Sequence, residues 1–159
     1  MKASLPIQSA PDIAYKEESI EQIAPGLTRS WLMDKRVVLF RPGDVSRATV
    51  DAWFNCVMRT MEEWPKGQVY LAVHDLSARH LLLTPHARKR SEELLPLSAG
   101  APGYAALVLS PTFMAQIIRL FLRAQRQQGN ENQVFFSMHE AMAWLMRKAV
   151  EGVPATQGK

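Results

Sequence analysis

The chain has 159 residues, 47% of them apolar and 21% charged, with a formal net charge of +4 at pH 7. These values describe an ordinary globular chain, long enough for one domain with a substantial core. One cysteine, Cys56, excludes an internal disulfide, no stretch approaches the ~20 apolar residues of a membrane span, and the charge excess is too mild by itself to mark a nucleic-acid binder.

Residues 1–14 carry Pro6 and Pro11 without periodicity and read as an N-terminal arm. Met1 to Ile13 holds one lysine and no apolar run of signal-peptide length, so a soluble, cytoplasmic protein is expected, in keeping with the single thiol. Tyr15 to Ile23 is charged with scattered apolar positions and reads as a short helix ended by Pro25-Gly26. Leu27–Leu32 and Val37–Arg41, separated by Met33-Asp34-Lys35-Arg36, read as an antiparallel hairpin.

A long helix is predicted from Arg47 to Trp64. Val50, Trp53, Phe54, Val57, Met58, Met61 and Trp64 recur at helical spacing, Ser46 serves as N-cap, and Pro65-Lys66-Gly67 stops the element. Val69 to Asp75 is almost wholly apolar, the signature of a central strand covered on both faces. Thr84 then caps a helix with Pro85 at its first position, running to about Leu95. The pattern repeats. Tyr104–Leu109 reads as a buried strand, Ser110-Pro111 opens a helix ending at Gly129, and Gln133–Phe136 reads as a third such strand. Ser137 and Glu140 form a capping box before a last helix that buries Ala141, Met142, Trp144, Leu145 and Ala149. The expectation is one α/β domain over 15–150, a mixed, mostly parallel sheet of about five strands flanked by four helices, with a flexible tail at 151–159.

Val73-His74-Asp75-Leu76-Ser77 at the end of the central strand, the helix opening at Thr84, and Phe135-Phe136-Ser137-Met138-His139-Glu140-Ala141-Met142-Ala143-Trp144-Leu145 together resemble the SpoIIAA-like family, the small STAS (anti-sigma-factor antagonist) domains. The resemblance covers about Leu27 to Lys148. It implies a SpoIIAA-like fold and a non-enzymatic regulatory or protein-interaction module, with the partner surface at the loop and helix around Ser77 to Arg90. In signalling members this loop carries Asp-Ser-Ser-Gly, and a partner kinase phosphorylates the second serine. Here Leu83-Thr84-Pro85-His86 takes that place, so the acid is missing, the acceptor serine is proline, and only Thr84 keeps a hydroxyl. The chain reads as a divergent member, with Ser77 and Thr84 as candidate phospho-acceptors. The wider fold group includes lipid-carrying relatives. The alternative reading is therefore a small-molecule or lipid-binding protein, with Met58, Met61, Met114, Phe121 and Trp144 around an apolar cavity between helices and sheet.

The helix start at Thr84 is also a candidate anion site. His86, Arg88, Lys89 and Arg90 crowd its first two turns, where cations oppose the helix dipole and a bound anion or acidic partner would relieve them. Ser77, Thr84, His86 and Arg88 are the residues assigned to it. No metal or other cofactor is expected. His74 and Asp75 point to opposite faces of a strand, His80 and His86 lack helical metal-pair spacing, and His139 belongs to a helix start. No nucleophile motif surrounds Ser77 or Ser110, and Cys56 falls beside the apolar stripe of its helix as a packed thiol.

The helix predicted from Thr112 to Gln128 is apolar over an arc of roughly 200°, about twice an ordinary stripe. Its surplus at Met114, Ile118 and Leu122 is expected to pack within the chain or against a second copy, as a homodimer interface. Arg119, Arg123 and Arg126 lack interleaved exposed aromatics and read as a solvated face rather than a nucleic-acid site.

Overall fold

A computed structural model describes residues 15–78, 81–98, 103–111 and 130–151. In chain order the elements are β1 (Glu18–Ala24), β2 (Leu27–Leu32), β3 (Val37–Pro42), α1 (Arg47–Glu62), β4 (Tyr70–Leu76), α2 (Pro85–Ser98), β5 (Gly103–Leu109), β6 (Asn130–Phe135) and α3 (Met138–Glu151). The strands form one six-stranded sheet whose spatial order follows the chain, β1 to β6. The first three are antiparallel neighbours, and β3 to β6 are parallel.

The α/β class and the mixed sheet agree with the sequence, but the strand count is six rather than five. The difference lies at Tyr15–Ile23, read above as a short helix. Residues 18–24 form β1 instead, paired antiparallel with β2 from Glu18↔Trp31 to Ala24↔Leu27. Three helices lie among the described residues, and Pro111 is itself helical. Residues 112–129, with Met114, Ile118, Phe121 and Leu122, lie outside them, as do the N-terminal arm and most of the predicted tail.

The hairpin formed as predicted, in register from Leu27↔Pro42 to Leu32↔Val37. Its turn is unusual, because Met33, Asp34 and Lys35 all sit in the left-handed region at φ 56°, 55° and 62°. None is glycine, so each carries a steric cost that glycine would avoid. The turn is closed by Arg36 N–H donating to Leu32 O at 3.2 Å.

β4 is the interior strand that its apolar run implies, flanked by β3 and β5, with Tyr70 to His74 all buried. Alternation along the parallel strands divides the core into two layers. Val38, Phe40, Tyr70 and Ala72 face α1, where they meet Cys56 and Val57, and Leu94 of α2 packs on the same cluster. Leu39, Leu71, Val73, Ala106, Val108 and Phe135 face α3, where they meet Ala141, Met142, Trp144 and Leu145. Both crossovers, β3–α1–β4 and β4–α2–β5, step the same way across the sheet. Right-handed connections then place α1 and α2 on one face, as observed. Met61 belongs to the α1 layer and Trp144 to the α3 layer. The sheet therefore separates them, and the cavity lining read from the sequence cannot include both. No helix of the described residues is long and apolar enough to cross a membrane.

The helix starts follow their local chemistry. Ser46 Oγ accepts from Thr49 N–H at 3.2 Å, Thr84 Oγ1 from Ala87 N–H at 3.1 Å, and Ser137 Oγ from Glu140 N–H at 3.2 Å. At the β1–β2 turn, Gly26 lies against the start of α1. Its carbonyl accepts from Gly43 N–H at 2.7 Å, and a Cβ at this position would collide with the Asp44 carboxylate and the Thr49 hydroxyl. Gly26→Ala is expected to cost about 1–3 kcal/mol through overpacking, read as a lower urea midpoint at unchanged slope. A midpoint equal to wild type would show that this contact yields freely.

Candidate functional site

The carboxyl end of the parallel sheet gathers most of the polar side chains singled out in the sequence. β3 and β4 end there and α1 and α2 begin there, which is where open α/β sheets place their sites. Two groups of charges form, one on each face of the sheet.

On the α1–α2 face the central residue is Asp51, in the second turn of α1. Its Oδ1 lies 2.7 Å from His86 Nε2 and 2.9 Å from Arg90 Nε. Arg90 also donates from Nη1 to Glu93 Oε2 at 2.9 Å, and its guanidinium lies over the Phe54 ring, 4.6 Å from the centroid. The hydrogen bonds from Arg90 and then His86 hold the Asp51 carboxyl below its ordinary range. An ionised Asp51 only accepts, so Nε2 of His86 carries the proton in this pair. The conflict between α2's basic first turns and its dipole is thus eased from within the chain, by an acid supplied from α1.

On the same face of the sheet His74 is buried on β4, against Trp53 of α1. Trp53 Nε1–H donates to His74 Nδ1 at 3.1 Å, and Phe40 stacks on the imidazole with centroids 5.1 Å apart. An imidazole accepting at Nδ1 and neutral overall keeps its proton on Nε2. Burial pushes its pKa from 6.5 down to about 4.

On the opposite face Asp75 shares its side of β4 with Leu71 and Val73. Its Oδ2 accepts from Arg41 Nε at 3.0 Å, and its Oδ1 from the Ser77 backbone N–H at 3.1 Å and the Ser77 hydroxyl at 2.5 Å. Arg41 also donates to Glu17 Oε1 at 2.5 Å. Burial alone would lower the Arg41 pKa, but its bonds to Asp75 and Glu17 outweigh that and hold it raised. His74 and Asp75 thus serve different faces, as strand alternation requires.

The four residues assigned to an anion site do not converge. Ser77 is held at Asp75, Thr84 is the α2 cap, His86 is turned to Asp51, and Arg88 Nε donates to Glu92 Oε1 at 3.1 Å. Asp51 and Trp53 were not singled out as site residues, and Arg90 was named only among the cations crowding the helix start. The i, i+4 spacing of His86 and Arg90 marks a shared helical face. Their shared acceptor stands 35 residues before His86 and 39 before Arg90, beyond the reach of local spacing. No group of three or more metal-ligand side chains occurs among the described residues, and His80 lies outside them. Burial pushes the Cys56 thiol up, away from its reactive form.

Asp51→Asn is expected to lower the thermal midpoint more at low salt than at high salt, since the lost contacts include the partly exposed Arg90–Asp51 ion pair. Melting curves at two ionic strengths check this, and a shift independent of salt would assign Asp51 a different role. The chain matches no known family, no curated protein and no solved structure.

Proposed function

We propose that the protein is a non-enzymatic regulatory or protein-interaction module of the STAS type, with its contact surface at the loop and helix start following β4. The observation that carries this reading is a set of exposed side chains leading into and along α2. Leu82 is 58% exposed, and Pro85, Arg88, Lys89 and Glu92 follow it on the outer side of α2. A large apolar side chain beside charged neighbours suits a protein contact. The inner side of the same helix is pinned to α1 through Asp51, so these side chains are presented on a fixed support. The progression of β3, β4, β5 and β6 across the sheet in chain order supports the SpoIIAA-like comparison.

Of the two hydroxyls considered for phosphorylation, Thr84 is the better placed. A phosphate there would sit at a helix N-terminus, which favours negative charge, whereas one on Ser77 would face the Asp75 carboxylate.

The experiment compares capture by the wild-type protein with capture by Leu82→Asp and Arg88→Glu, both exposed and expected to fold normally. A partner retained by wild type and lost by both variants, with unchanged melting curves, is the expected result. Identical capture by all three proteins would remove this surface from the reading.

A further inference from the structure

We draw no further inference here: the strongest candidate, the buried Tyr70 hydroxyl that lacks a hydrogen-bond partner in the layer between β4 and α1, is satisfied as fully by one buried water as by any ligand and so carries nothing.

Discussion

As the pH falls from 6.5 to about 4, His74 alone is expected to withdraw on the order of 3 kcal/mol of folding stability. In the unfolded chain its imidazole takes a proton near pH 6.5, whereas in the folded protein burial delays this to about pH 4. The unfolded state therefore binds the proton first. The stabilising contribution is complete above the unfolded value, declines as the pH drops, and levels off below the folded value. Protonation also turns Nδ1 into a donor, which sets it against the Trp53 N–H that now donates to it. The check is urea denaturation of wild type and His74→Leu at neutral pH and near pH 4. The variant starts less stable, because it orphans the Trp53 N–H, but its acid loss should be smaller by about the amount His74 contributes. The depressed Asp51 carboxyl adds to acid sensitivity in both proteins and cancels in the comparison. Parallel pH profiles would show that His74 takes no part.

Trp144→Ala should cost about 3–5 kcal/mol, a large fraction of the roughly 5–15 kcal/mol that holds such a domain together. Trp144 is 4% exposed and joins α3 to the sheet through two aromatic contacts, edge-on to Tyr104 at 5.8 Å and tilted against Phe135 at 5.5 Å. Among the described helices, α3 is the one packed on this face of the core. Trp144→Phe keeps an aromatic body and should retain much of the stability. Thermal and urea unfolding of the two variants checks this. An alanine variant within about 1 kcal/mol of wild type would mean that the space collapses readily and that Trp144 is not an anchor.

Legibility in the sequence varied with the reach of the signal. β4 was readable because a strand covered on both faces must be apolar at successive positions, and Tyr70 to Val73 are. The caps at Ser46, Thr84 and Ser137 were readable because each bond spans three residues. β1 was not. Register shifts between Glu18 and Glu21 and between Gln22 and Ala24, with Ser19 at φ 50°, break its two-residue alternation. Glu18, Glu21 and Ala24 are the more buried positions, spaced by three, and this mimics a helix. At the candidate site, position was legible and wiring was not. The sequence identified the end of the central strand and the start of α2. The bonds from His86 and Arg90 to Asp51, and from Arg41 to Asp75, join residues 34 to 39 positions apart, and only the assembled sheet brings them together.

A sheet whose strands lie side by side in the order of synthesis has a kinetic corollary. No strand must insert between two already paired, so growth outward from the β2–β3 hairpin never has to reopen a finished ladder. Each closure spans only the connection to the preceding strand, and the entropic cost of a loop rises only slowly with its length. Removing an outermost strand at either border would shorten the sheet without opening a gap inside it, and the β3–β4 and β4–β5 ladders at its centre would stay intact.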